Sequence, residues 1–373
     1  MPPVPALLRL VLAGGRLAPR RRLLDRFDGD AEAAVHAGRS AWIEAGLSEA
    51  QVAALRQPVD AAVETRTLRW LESPGHHLIG WADADYPPLL RQIASPPLAL
   101  FVDGEPGRLW HPQLAIVGSR AATAGGRDNA RAFARVIAEA GFAITSGLAD
   151  GIDAAAHAGA LEAADGLTLA VVGTGPDRAY PAGHASLRDA IAQRGVVVSE
   201  HPPGTPPLRR HFPARNRLVA GLTLGTLVIE AAERSGALIS ARMAADAGRE
   251  VFALPGSIHN PMVRGCHRLI RDGAQLVETP EEVLAVLATA CPALSDTLRQ
   301  RLGAPIPRSC EEVAAVSADH QTLWDALGHD PTPMDGLVER TGLTIAELAP
   351  MLLALELQGR LAVEHGRYTR KSA

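Results

Sequence analysis

Leu114-Ala115-Ile116-Val117-Gly118-Ser119-Arg120 decides the fold. Four apolar residues without a polar break are too few for a buried helix. They end on a glycine, and Thr123 with Gly125-Gly126 then opens a helical pattern. Comparable apolar runs recur at 143–145, 167–172, 196–198, 226–229 and 251–254, mostly separated by amphipathic helical spacing. Continuous apolar strands alternating with helices predict a parallel sheet covered on both faces, a Rossmann-like, doubly wound α/β domain over residues 75–290.

In such sheets ligands sit beyond the carboxyl ends of the strands, so the residues after each run carry the chemistry. They are Gly118-Ser119-Arg120, then Ser146-Gly147-Leu148-Ala149-Asp150-Gly151-Ile152-Asp153 leading to His157, then Gly173-Thr174-Gly175, and last Pro255-Gly256-Ser257. Each glycine suits either a tight turn or a close approach of backbone amides to an anion, for which phosphate is the natural guest. The dinucleotide fingerprint is incomplete, because Gly173-Thr174-Gly175-Pro176 lacks the third glycine.

Residues 208–217 read Leu-Arg-Arg-His-Phe-Pro-Ala-Arg-Asn-Arg, four arginines and one aromatic with no acid. This is a solvated helix start or a nucleic-acid groove. The interleaved Phe212, a stacking face for an unpaired base, favours the groove. Asp153 and His157, four apart, could pair on one helix face and brace the phosphate loop. A hydrolase would need a nucleophile elbow, and Thr145-Ser146-Gly147 does not supply one. Glu230 is placed to cap or orient a loop, and Ser235-Gly236-Ala237 opens a helix that could donate amides.

Composition excludes several alternatives. The chain has 373 residues, 47% apolar and 21% charged, with 37 basic against 41 acidic residues and a net charge of −4. A uniformly basic binder is ruled out, but a local cationic cleft is not. Lys371 is the only lysine, so no Walker-type phosphate loop and no internal Schiff base can form. Cys266, Cys291 and Cys310 are too few and too scattered for a disulfide framework or zinc cage, and no His/acid cluster has metal-ligand spacing. No cofactor is expected. Neither a signal peptide nor a membrane span is evident, so a cytoplasmic protein is expected.

Residues 1–70 carry helical spacing of Leu, Val and Ala, including a segment at 48–56 with Ser48 as candidate cap, and predict a small helical domain. A linker at 291–318 is followed over 319–373 by helical patterns at 322–327, 334–341 and 345–358 and a hairpin turning at Gly366. That order predicts a winged helix, which serves either duplex DNA or protein contact.

Taken together, Gly118-Ser119-Arg120, Ser146 to Asp153 with His157, Phe212-Pro213-Ala214-Arg215-Asn216-Arg217, Ser235-Gly236-Ala237-Leu238 and Pro255-Gly256 occur in the order and spacing of the DNA-processing protein A family (DprA, also called Smf). The chain resembles that family from about residue 80 to 280. Asp85-Tyr86-Pro87 fits the start of the family's domain, and the flanks fit a SAM-like domain and a winged helix.

The resemblance implies a binder rather than an enzyme. It would hold single-stranded DNA without sequence preference, protect incoming DNA in natural transformation and help load RecA, as a homodimer paired through the Rossmann-like domain. It further implies that Ser119, Arg120, Ser146, Gly147, Arg209, Phe212, Arg215, Asn216, Arg217, Gly236 and Gly256 line the DNA site, with Asp153, His157 and Glu230 as support. Arg209 stands where the family often has lysine, Gly125 where it often has an aromatic, and His267 where it usually has asparagine. The rival reading is a nucleotide phosphoribohydrolase, faintly echoed by Gly225-Thr226 followed by Glu230, without the Pro-Gly-Gly such enzymes carry.

Overall fold

In the computed structural model, the residues described are 4–290, 323–324, 326–327, 331–357, 360–364 and 367–370. The predicted segment at 291–318 and the Gly366 turn lie outside them, as does part of the 322–327 helix.

Six helices open the chain: α1 (Val4–Leu12), α2 (Leu17–Arg26), α3 (Ala31–His36), α4 (Gly38–Glu44), α5 (Glu49–Arg56) and α6 (Ala61–Leu71). Three of them start on polar caps. The Asp30 and Asp60 carboxylates accept first-turn amides, and Ser48 forms a reciprocal capping box with Gln51. Their apolar faces bury Leu7, Leu8, Leu23, Leu24, Trp42 and Leu55 in one cluster. That cluster continues into Leu78 and Phe101 of the neighbouring sheet, so the helical segment is seated on the sheet's edge.

The central sheet has nine strands among the described residues: β1 (His76–Gly80), β2 (Ala99–Gly104), β3 (Gln113–Val117), β4 (Ala143–Ser146), β5 (Thr168–Val171), β6 (Val196–Ser199), β7 (Gly225–Val228), β8 (Glu250–Ala253) and β9 (Gln275–Leu276). Their order is β1-β2-β6-β5-β4-β3-β7-β8-β9. From β6 to β9 all pairings are parallel. The apolar runs read from the sequence are the six strands β3 to β8. The sheet is nevertheless mixed, because β1 and β2 extend it through antiparallel pairings, and sequence periodicity did not reveal them.

Alternation along each strand divides the core between two faces. On one face, Leu114, Ile116, Ile144 and Phe252 meet α8 (Ala124–Glu139), α9 (Ile152–Glu162) and α14 (Pro280–Ala290). On the other, Ala115, Val117, Val171 and Val228 meet α7 (Pro88–Arg91), α11 (His211–Leu222), α12 (Ala237–Asp246) and α13 (Arg264–Arg271). A further helix, α10 (Ala185–Arg194), covers Ala170 and Val197 through Ile191. The chain runs outward from β3 through β4, β5 and β6, then returns to place β7 on the other side of β3. The β3/β7 boundary is therefore the topological switch point, where loops part in opposite directions and leave a crevice.

The C-terminal segment has α15 (Met334–Thr341), α16 (Ile345–Leu357) and a small sheet of β10 (Thr332–Pro333), β12 (Arg367–Arg370) and β11 (Leu361–Glu364). Leu323, Leu327, Leu337, Leu348, Leu352, Leu355 and Leu361 form its core. Two helices followed by a hairpin give the winged-helix arrangement.

Candidate nucleic-acid interface

The crevice at the switch point has a volume of about 750 Å³. Its floor is the loop after β3, Gly118 to Ala121, with Gly147 from the loop after β4. Its walls are the first two turns of α11 (Phe212, Pro213, Arg215, Asn216) and the start of α12 (Ser235, Gly236, Ala237). The N-termini of α11 and α12 both abut it, so partial positive charge from backbone amides adds to that of the side chains. Among the described residues, Arg120, Arg209 and Arg215 are the lining cations and Asp153 the one lining acid. An anion with an aromatic or apolar part fits such a site.

Each guanidinium is placed by a different device. Arg120 is exposed on the β3 loop, with its Cζ 5.7 Å from the centre of the Phe212 ring. Arg209 is exposed just before α11. Arg215 is only 5% exposed, donates to the Val171 carbonyl and leaves its Nε without a partner. Burial pulls its pKa down to about 10, offset by the nearby Asp153 carboxylate and reinforced by Arg120. It remains charged at neutral pH, and a charged donor so poorly satisfied gains strongly from an incoming oxyanion. Gly147 makes room for it: a Cβ there would stand 2.5 Å from the Arg215 Cζ.

The loops are braced from beneath. Asp153 accepts from the amides of Gly147 (3.0 Å) and Ala149 (3.4 Å). Burial raises its pKa, opposed by Arg215 and those amides. Glu230 accepts from the amide (2.9 Å) and hydroxyl (2.7 Å) of Thr123, the cap of α8, and so ties the β7 loop to the β3 loop. At Gly151, φ is +77° and a Cβ would come 2.7 Å from the Arg120 carbonyl oxygen, so only glycine lets α9 begin against that loop.

The structure brings together Ser119, Arg120, Gly147, Arg209, Phe212, Arg215, Asn216 and Gly236 of the expected DNA-site residues. Three others lie apart. The Ser146 side chain is fully buried and donates to the Ile116 carbonyl at 2.6 Å, holding β4 to β3 rather than facing the crevice. Arg217 forms a two-pronged pair with Glu200 at 3.0 and 2.5 Å, with both side chains mostly buried. Two positions along a helix turn a side chain by about 200°, so Arg215 facing in puts Arg217 away. Gly256 sits in the loop before α13, where a Cβ would meet Val263 at 2.8 Å, and is not part of the crevice lining.

Asp153 and His157 do not form the pair that their spacing permits. His157 Nδ1 instead faces the Thr168 hydroxyl at 2.7 Å, and that hydroxyl donates to the Ile144 carbonyl. The imidazole is therefore the neutral Nδ1–H tautomer with a buried, unpartnered Nε2. Burial takes its pKa down to about 3, assisted by the Arg215 charge.

Tyr180 is a lining residue that the sequence reading missed. It is 44% exposed, and its ring centre lies 5.1 Å from that of Phe212. Its signal was a lone aromatic seven positions after Gly173 in the loop behind β5. Gly173 leaves the space in which Phe212 is seated, its Cβ position lying 3.3 Å from the Phe212 ring. Two rings and an overlying guanidinium thus form an aromatic shelf at the crevice mouth. Among the described residues no group of three His, Cys, Asp or Glu could hold a metal ion.

Residues 77–288 match the sequence profile of the family described as DNA recombination-mediator protein A, and residues 309–367 match that of the DprA winged helix domain. Protein Smf of Escherichia coli is 43% identical over 82% of this chain and 80% of its own length. The crystal structure of DNA processing protein A from Streptococcus pneumoniae superposes with a TM-score of 0.68 at 36% identity, covering 76% of this chain and 98% of that one. A structure addressing the single-stranded DNA binding mode of DNA processing protein A from Helicobacter pylori gives 0.51 at 29% identity, over 55% of this chain and 93% of the other. With the profile spanning more than half the chain and a relative this similar along four-fifths of it, the chain belongs to the DNA recombination-mediator protein A family, which it shares with the Smf and DprA proteins.

Proposed function

We propose that the crevice holds single-stranded DNA without sequence preference. The observation that carries this reading is the convergence of Arg120, Arg209 and Arg215 with the Phe212–Tyr180 shelf around one opening. Guanidiniums grip phosphates whatever the base, and every base has a face to stack on an aromatic ring. The Helicobacter relative, with its single-stranded DNA binding mode, supports the same assignment.

In this reading the protein covers incoming DNA and helps load RecA on it. The family's description as a recombination mediator supports that step. A second copy pairs with it through the Rossmann-like domain, in the cytoplasm. Residues 1–70, 75–290 and 319–373 act as three units, the last two joined through the linker 291–318, a division that limited proteolysis tests.

Among the described residues the only carboxylate lining the crevice, Asp153, is occupied by two backbone amides, which favours binding over hydrolysis. Titrating purified protein with single- and double-stranded oligonucleotides at two salt concentrations tests the binding reading. Tighter binding of single strands, indifferent to base composition and falling steeply with salt, is the expected result. Release of free base from nucleoside monophosphates, with no strand binding, would reverse it in favour of the phosphoribohydrolase.

A further inference from the structure

The loops after β5 and β6 lead to the two rings of the aromatic shelf, and they are laced into one slab. The Ser199 hydroxyl donates to the Thr174 carbonyl at 2.6 Å, the Gly175 amide to the Thr205 carbonyl at 3.0 Å, and the Gly204 amide to the Asp177 carboxylate at 2.8 Å. His211, the neighbour of Phe212, stacks on His201 with ring centres 3.8 Å apart and faces the Gly173 carbonyl at 3.1 Å. The 5.1 Å between the centres of Phe212 and Tyr180 is therefore set by how these loops lie.

The helical segment reaches the slab through Arg66 of α6. Its Nε donates to the Pro203 carbonyl at 2.8 Å, across 137 positions of sequence. The next residue, Gly204, has φ +84°, and a Cβ there would stand 2.6 Å from the Arg66 Cζ, so the guanidinium lies against bare backbone. The helix is itself fixed to the sheet. One turn beyond Arg66, the buried Trp70 stacks on His76 of β1 at 4.1 Å between centres and meets Phe101 of β2 edge-on at 6.4 Å. A second tie at this junction is electrostatic. Burial in α2 pulls the pKa of Arg20 down to about 10, and the Glu200 carboxylate, the partner of Arg217 on α11, opposes that shift.

We propose that Arg66 is a positioning residue for the DNA site: it holds the 199–211 loop so that Phe212 keeps its place beside Tyr180 for a base. The helical segment thereby sets the affinity of a crevice to which, among the described residues, it contributes no lining side chain. This rests on the reading of the crevice as a single-strand site. A shelf that holds its binding arrangement only part of the time binds more weakly in proportion, while every phosphate contact is kept.

Glutamine and methionine separate the donor from the charge. Glutamine Nε2 stands at the same point along the side chain as arginine Nε, so Arg66→Gln keeps an N–H for Pro203 and loses the cation. Arg66→Met keeps the stem and loses both. Full-length protein is titrated by fluorescence anisotropy with a single-stranded oligonucleotide at several salt concentrations, and a strand carrying a fluorescent purine analogue reports base stacking by its quenching. Arg66→Met should bind roughly twofold to tenfold more weakly, the usual worth of one hydrogen bond, with the wild-type salt slope and less quenching at saturation. Arg66→Gln should restore affinity and quenching. Added to Phe212→Ala, Arg66→Met should cost nothing further, because it acts through that ring. Without DNA, hydrogen exchange in Arg66→Met should quicken at the amides of Gly175, Gly204 and Thr205 and stay unchanged in the loop after β3.

Wild-type affinity and quenching in Arg66→Met overturn the proposal, as does unaltered exchange at those three amides. A salt slope lowered by about 0.7 in both Arg66→Met and Arg66→Gln also overturns it, since that is the mark of a direct phosphate contact. A loss that adds to that of Phe212→Ala does the same. If Phe212→Ala binds as the wild type does, the crevice reading falls first and takes this proposal with it, even where exchange shows the loop loosened.

Discussion

Replacing Gly147 with alanine removes no charge and no hydrogen-bonding side chain, yet it should weaken DNA binding through Arg215. The added Cβ would stand 2.5 Å from the Arg215 Cζ, closer than any real contact, so the guanidinium must move. Arg215 is 5% exposed and its Nη1 is spent on the Val171 carbonyl, so moving it breaks that bond and withdraws the cation from the crevice wall. A hydrogen bond involving a charged group contributes about 1.5–3 kcal/mol, which converts to roughly a tenfold to hundredfold loss of affinity.

The assay is anisotropy on a single-stranded oligonucleotide at several salt concentrations, for Gly147→Ala, Arg215→Ala and the double variant. Because one change acts through the other, the double variant should bind no worse than Arg215→Ala alone, and the salt slope should fall by about 0.7 in all three. Wild-type affinity and slope in Gly147→Ala would refute the claim that Arg215 is held in place for a phosphate. Fully additive losses would refute the claim that glycine acts through it.

Further outcomes follow from the same geometry. Phe212→Ala should cost about 1–3 kcal/mol of binding with purine and pyrimidine strands alike, as equilibrium titration measures, since stacking is tolerant of the base. Arg120→Ala should reduce the salt slope by about 0.7, whereas Arg217→Ala should leave it near wild type. The Arg217→Ala change should instead lower thermal stability, because it strands the mostly buried Glu200 carboxylate; denaturation with and without DNA separates the two. In folded protein His157 stays neutral until about pH 3 and His201 until about pH 4, both because burial opposes the charged form. The unfolded chain protonates both near pH 6.5, so unfolding takes up protons below that value. Stability is fully present above pH 6.5 and should fall by about 1.4 kcal/mol per histidine per unit as pH drops toward 4, measurable by urea titration. His157→Gln should flatten that slope.

Much of this architecture is legible in the sequence because parallel strands are buried on both faces and so read as unbroken apolar runs, as at 114–117 and 196–198. Three strands escaped notice: β2 although Ala99 to Val102 is such a buried run, and β1 and β9 because that physics does not hold for them. His76-His77 opens β1 at the sheet edge with half-buried polar residues, and β9 is two exposed residues long. The crevice was legible to the level of loops, since glycines and helix starts mark the carboxyl edge of the sheet. Individual side chains within it were not. Arg215 and Arg217 are the same residue type two positions apart, and only the orientation of α11 sends one to the crevice and the other to Glu200. Asp153 and His157 have the spacing of a pair, but amides and a threonine hydroxyl claim them separately. Tyr180 reaches Phe212 from a loop behind β5, a proximity with no periodic trace.

The most direct measurement is photocrosslinking of a single-stranded oligonucleotide carrying photoreactive bases, followed by peptide mapping of the adducts. Adducts on Phe212 and Tyr180, lost when Arg120 and Arg215 are both replaced by alanine, are the predicted result. Adducts confined to the helical segment or the winged helix, with the Phe212 and Tyr180 peptides unmodified, would contradict the assignment of the strand to the β3/β7 crevice.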